Sequence, residues 1–291
     1  MSARSPNTFI IGAGPVATAI AGALRLAGVP VLGLWARRPD AARQAGAAAG
    51  VAAFSSAPPD IMMESDVIII AVRDAAIAEV AAMLVGTGLV NRRHVLVHCA
   101  GALAAEVAFA GVIGKVAGVA VMHPLRAITD GKRSIHELKG SVFGVQGDAE
   151  GCVRASRLVA AMGGNELPLA RSQMAAYHAA AAIASNLVVA LLDTGVATLM
   201  ASGMSEQDAT AALLPLAMGA LQNVGTAGVV RGLTGPVQRG DAETVRAHLA
   251  SMQNIAGVGP IYKLLSQRAL AIAARGGLPD AAQRAVAAAL E

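Results

Sequence analysis

Short apolar runs alternate with alanine-rich helical patterns over the first half of the chain. Residues 8–12, 29–35, 67–72, 94–98 and 116–122 are apolar stretches of the length of a buried strand. Between them, residues 15–27, 40–49, 74–85 and 102–110 carry helical spacing. Such alternation requires crossover connections, which place helices on both faces of a parallel sheet. A further strand at 141–146 ends in Gly147-Asp148, and a helix through Met162 follows, stopped by Gly163-Gly164-Asn165. From about residue 170 strand signals cease. Long helical stretches remain, punctuated by Gly195, Gly203, Pro215, Gly219, Gly225 and Gly257, with Ser205 and Asp208 marking a helix start. The pattern predicts an α/β protein: a doubly wound parallel sheet over residues 1–168, then an all-helical domain over 169–291.

Composition narrows this further. The 291 residues are 55% apolar, with a mean hydropathy of +0.57, which excludes disorder. Cys99 and Cys152 are the only cysteines, which excludes a disulfide scaffold. The net charge of +4 is uneven: 15 basic and 11 acidic residues lie up to Asn165, but 8 and 8 beyond it. A first-half excess points to a phosphate-bearing ligand there. Without a run of five basic residues, and with 2% aromatics, nucleic acid is not an expected partner. Residues 1–7 lack a leader-peptide layout. The apolar stretch 174–192 contains Tyr177, His178, Ser185 and Asn186, so it is expected as a buried helix of a soluble, cytoplasmic protein and not as a membrane span.

The clearest chemical signal is Gly12-Ala13-Gly14-Pro15-Val16-Ala17, placed after a strand and at the opening of a helix. The first glycine permits the turn, the second lets backbone approach a pyrophosphate, and small Ala17 lets helix pack on strand. The helix N-terminus then offers free N–H groups to the anion. Some twenty residues on, where an NAD-binding chain carries Asp or Glu, this one has Arg37-Arg38. Two guanidinium forks suit a 2′-phosphate, so NADP is the expected cofactor. Asp40, two positions further, remains able to reach a ribose.

Other groups fall at the carboxyl ends of the strands, where ligands of open sheets bind. These are Val72 with Asp74, His98-Cys99 and His123-Pro124; Ala100-Gly101 leaves room for the nicotinamide ribose, so Val72, Ala100 and Gly101 join the cofactor-lining set. Metal-ligand spacing is missing, and no metal is expected. His98 serves either a neighbouring loop or the pocket, and Cys99 reads as a small buried hydrophobe. In the second half, His178 and Asn186 stand about two turns apart on one helix face. Arg239 can clamp a carboxylate. Asp241 can cap the helix that follows or face substrate.

Together with 119–125 (VAVMHPL), 177–186 (YHAAAAIASN), 233–241 (LTGPVQRGD) and His248, the glycine loop resembles the two-domain Rossmann-like proteins whose C-terminal part is domain of unknown function 2520. The layout is also similar to the wider 6-phosphogluconate dehydrogenase-like group, including ketopantoate reductases and pyrroline carboxylate reductases. That resemblance implies a NADP-binding Rossmann domain, a helical substrate and dimerisation domain, and a cleft between them. Many of those dehydrogenases carry a catalytic Lys four residues before a helix Asn; if Asn186 is that Asn, Ala182 stands in its place. The 98–101 loop likewise has alanine where a family serine is expected. The expected reaction is hydride transfer between NADP(H) and a small carboxylate-bearing carbonyl, a 2-keto acid such as ketopantoate, or an imine. His178 is the expected proton donor, with His123 as rival, and Asn186 orients the carbonyl. Arg239, with His98 and Asp241, lies on the substrate side, and the protein is a homodimer. The competing expectation is a NADPH-binding sensor or scaffold without turnover.

Overall fold

The computed structural model describes residues 5–291; the first four, on which the expectation about a leader peptide partly falls, lie outside the described residues. The apolar runs become strands β1 (Thr8–Ile11), β2 (Val31–Trp35), β3 (Ala53–Phe54), β4 (Val67–Ile70), β5 (Val95–His98), β6 (Gly118–Pro124), β7 (Val142–Gly147) and β8 (Asn165–Pro168). They form one sheet in the order β3-β2-β1-β4-β5-β6-β7-β8. Strand order therefore reverses at β1/β4, and the crevice beyond their carboxyl ends is where such sheets bind ligands. Successive side chains alternate faces: Ile10 and Ile69 pack in one buried cluster, Phe9, Ile11, Ile68 and Ile70 in the other. Helices α1 (Pro15–Leu26), α2 (Pro39–Ala49), α3 (Ile77–Gly86), α4 (Ala105–Ala108), α5 (Gly131–Glu137), α6 (Ala149–Ala161) and α7 (Met174–Ala184) complete this part of the chain. The alanines let α1 bury eight of its residues. At Gly22 an added Cβ would lie 2.5 Å from Ile135 Cδ1, so the missing side chain is what admits α5.

The sheet departs from the expected all-parallel arrangement at one place. β6 and β7 are antiparallel, with His123 opposite Gly144. The link through the short α5 leaves β6 and returns at the same edge, where Leu125 N–H already bonds the Val142 carbonyl. β3 and β8 carry no apolar alternation and so escape the sequence; β8 is exposed throughout and ends in Pro168, as an edge strand allows. The helix expected over 102–110 shrinks to α4, whose Ala105 N–H is taken by buried Gln146 Oε1 at 2.8 Å.

By contacts the chain divides into compact units at residues 1–183 and 184–291. The second unit is all-helical: α8 (Asn186–Ala201), α9 (Glu206–Gly232), α10 (Pro236–Arg239), α11 (Ala242–Ser251), α12 (Val258–Arg275) and α13 (Asp280–Leu290). α9 is interrupted at Gly228 (φ 78°, ψ 169°). Its buried core is small, centred on Val237, Val245, Val286 and Leu290.

The apolar stretch 174–192 is not the expected buried helix. Ser185 (φ −124°, ψ −76°) breaks it between α7 and α8, so His178 and Asn186 do not share one continuous helix face. Beyond Met174 most of its apolar side chains are exposed. α8 and α9 pack on each other and leave their remaining faces uncovered: Val189 and Leu216 are each 69% exposed. By length and composition alone, the spans 171–201 and 206–239 are long and apolar enough to cross a membrane.

Candidate active site

The glycine loop lies at the point where strand order reverses. Gly12 has φ +127°, and a Cβ there would stand 2.2 Å from the Ala71 carbonyl oxygen, so only glycine fits. Gly12 N–H bonds the Trp35 carbonyl at 2.8 Å, which ties the turn to β2. Around Gly14, by contrast, nothing lies within 4 Å of a built Cβ; its surface is open to a ligand. Pro15 opens α1, whose N-cap has no side-chain partner and whose first turn has no acidic residue. The first-turn N–H groups of Val16 and Ala17 therefore face outward with the positive end of the helix dipole. Arg37 and Arg38 follow β2 and are exposed, and among the described residues neither is ion-paired. Asp40 pairs with Arg43 on the surface of α2. Open glycine, free N–H groups and unpaired guanidiniums together form a donor set that fits the pyrophosphate and 2′-phosphate of NADP.

Two strands along the same sheet edge, a second set of groups converges. His98 ends β5, fully buried, with Nδ1 accepting the Ala100 N–H at 3.1 Å and its ring edge-on to Phe109. Burial, reinforced by His123, pushes His98 down to about 4. Through its bond to the Ala100 N–H, His98 shapes the turn that presents Ala100 and Gly101, while its buried Nε2 has no partner among the described residues. Cys99 beside it is driven up to about 12 by burial, which removes it as a nucleophile.

Gly101 is the floor of the site. A Cβ on it would stand 2.5 Å from His178 Nδ1 and 2.8 Å from His123 Nε2, so two ring nitrogens face one glycine. Their rings meet edge to face, with centroids 5.9 Å apart. His123, near the end of β6, is pushed down to about 4 by burial and by His178, so it is neutral at physiological pH. His178, on α7, is exposed. Behind them, Tyr177 Oη lies 2.8 Å from His123 Nδ1. This hydroxyl passes over Gly144, whose built Cβ would meet it at 2.8 Å. Gly144 and the role of Tyr177 escape the sequence, although glycine inside an apolar strand marks a close approach.

The remaining candidates belong to the second unit. Asn186 is exposed at the start of α8, and Arg239 is exposed at the end of α10. Asp241 caps α11: it accepts from Thr244 N–H (3.0 Å) and Thr244 Oγ1 (2.6 Å), and these bonds hold its carboxyl below the usual range. Through these bonds Asp241 caps α11, one of the two places expected for it. His248 Nδ1 pairs with Tyr262 Oη at 2.8 Å. Among the described residues no His, Cys, Asp and Glu group is arranged to hold a metal ion.

Residues 8–101 match the family model described as NADP oxidoreductase coenzyme F420-dependent, and residues 141–269 match the domain of unknown function DUF2520. The first segment holds the glycine loop, both arginines and the 98–101 turn; the second holds Gly144, Tyr177, His178, Asn186 and Arg239. Among solved structures, protein TM1727 from Thermotoga maritima is 25% identical, with a TM-score of 0.72 over 93% of this chain and 99% of that one. BF3122 from Bacteroides fragilis, assigned as an NADP oxidoreductase, is 20% identical with a TM-score of 0.70 over 92% and 99%. A 1-pyrroline-5-carboxylate reductase from Streptococcus pyogenes is 13% identical with a TM-score of 0.61 over 92% and 100%. The last two likenesses speak for the fold alone. No curated protein matches the chain in sequence. A segment of the NADP oxidoreductase type over residues 8–101, carrying the glycine loop of a Rossmann-type sheet, is thus followed by a segment of the domain of unknown function 2520 type over residues 141–269.

Proposed function

We propose that the protein reduces, or in reverse oxidises, a small carboxylate-bearing carbonyl or imine with NADP(H). The observation that carries this is the pair of imidazole nitrogens facing Gly101, at the same sheet edge as the glycine loop. The loop from Gly12 to Ala17, with Arg37 and Arg38, holds the cofactor; Val72, Ala100 and Gly101 line its path. When bound, NADPH supplies hydride chemistry. The chain's own residues supply the rest. His123 Nε2 and His178 Nδ1 hold the substrate oxygen or nitrogen in front of Gly101. His178, open to solvent, gives up a proton to that atom and regains one from water. Asn186 and Arg239, both exposed in the second unit, keep the carbonyl-orienting and carboxylate-binding roles expected of them. A panel of 2-keto acids (ketopantoate included) and cyclic imines, followed by NADPH absorbance, tests this. Turnover with at least one member is expected; tight NADPH binding with no turnover on any makes the protein a sensor or scaffold.

The same proposal makes the protein a homodimer in the soluble fraction. Exposed Leu187, Val189, Leu216, Leu221 and Leu264 form apolar surface of the kind that a second copy covers. A bilayer is the poorer cover, because Asp193 sits mid-way along α8 and a carboxylate at the membrane centre costs about 2.5–3.5 kcal/mol. Sedimentation equilibrium is expected to give twice the chain mass without detergent. Replacing Val189 and Leu216 together by Asp is expected to shift it to one chain mass. A monomeric wild type, or recovery only from membranes, contradicts this.

A further inference from the structure

We propose that Tyr177 is a positioning residue that donates its hydroxyl proton to His123 Nδ1. It thereby fixes His123 as the Nε2–H tautomer, a hydrogen-bond donor aimed at the space before Gly101. The role rests on His123 and His178 flanking the reacting atom, as proposed above. It divides their work: His123 polarises the substrate without changing its charge, and His178 alone moves the proton.

The direction we assign to the bond follows from the phenol's own proton. Tyr177 Oη and His123 Nδ1 are 2.8 Å apart, with the rings edge to face at 88°. A phenol always carries its proton at neutral pH, and that proton needs an acceptor. Burial raises the Tyr177 hydroxyl further from ionisation, against a smaller opposing pull from the Gly144 backbone. His123 Nδ1 is the acceptor within reach of that proton among the described residues. A neutral imidazole that accepts at Nδ1 must carry its proton at Nε2. That nitrogen is the one facing Gly101.

The sequence pays for this arrangement at two glycines. Gly144 pairs in register with His123 across β6 and β7, and its built Cβ would stand 2.8 Å from both Cζ and Oη of Tyr177. Any side chain there would push the phenol away from Nδ1. Gly101 in turn lets Nε2 stand where a Cβ would meet it at 2.8 Å. The other titratable groups around His123 are His178 and His98, and neither offers the negative charge that would favour an imidazolium.

The test reads the imidazole directly. Full-length protein labelled with ¹⁵N-histidine is compared with Tyr177→Phe, which keeps the ring and removes the hydroxyl; the His123 signals are assigned by their loss in His123→Gln. In the wild type, His123 is expected with Nε2 protonated and Nδ1 bare from pH 7.5 down to pH 5. In Tyr177→Phe the two nitrogens are expected to become a tautomer mixture. Protonation at Nδ1 in the wild type, or His123 signals unchanged in Tyr177→Phe, overturns the proposal. Because the readout needs no substrate, a silent substrate panel with the Nε2–H tautomer intact counts against the proposed reaction and not against the role of Tyr177.

Discussion

Replacing His178 by alanine is expected to lower turnover by about 10²–10⁴-fold, the usual worth of a positioned general acid, and to leave NADPH affinity unchanged. The direction follows from where the charge goes. Reduction of a carbonyl or imine leaves a basic atom that must gain a proton. His123 is neutral with its acidity pushed down to about 4, so it holds no spare proton at pH 7. Neither Cys99, driven up to about 12, nor Ala182, four residues before Asn186, can take the role. His178 is the exposed member of the pair facing Gly101. It lies on α7, whereas the cofactor donors lie on the turn before α1 and after β2, which is why binding is expected to survive. His178→Asn keeps a polar group without a mobile proton and is expected to lose as much. Turnover in either variant within about threefold of the wild type, well under one 1.4 kcal/mol decade, removes His178 from this role.

The loop and the strands around it were legible because their physics is local. Gly12 is read from its neighbours in sequence, and the structure supplies the reason: the Ala71 carbonyl leaves no room for a side chain. The fully buried, largely apolar runs of β1, β4 and β5 are likewise set by burial on both faces. What stayed hidden depends on partners distant in the chain. Nothing near Tyr177 announces His123, 54 residues earlier, and Gly144 gains its meaning only from the antiparallel pairing of β6 with β7. The apolar stretch 174–192 misled for a related reason: hydropathy reports that a surface will be covered, but not that the cover lies within the same chain. His98 and Asp241 were recognised as polar groups needing partners, and each found one within three residues, in Ala100 and Thr244.

The proposed basis of cofactor choice is two exposed side chains, Arg37 and Arg38. An acidic residue after β2 would accept a bond from the ribose hydroxyl and repel a 2′-phosphate; Arg37 and Arg38 reverse both effects. Hydrogen bonds to charged groups contribute about 1.5–3 kcal/mol, and each 1.4 kcal/mol is tenfold in affinity. Calorimetric titration of the wild type and of the Arg37→Ala, Arg38→Ala double variant, with NADPH and with NADH at one salt concentration, measures this directly. The wild type is expected to prefer NADPH. The double variant is expected to lose NADPH affinity by about 10²-fold, as the loss of one to two such bonds implies, while its NADH affinity barely changes. Equal losses for the two cofactors, or a wild type that prefers NADH, would contradict a 2′-phosphate site at Arg37 and Arg38.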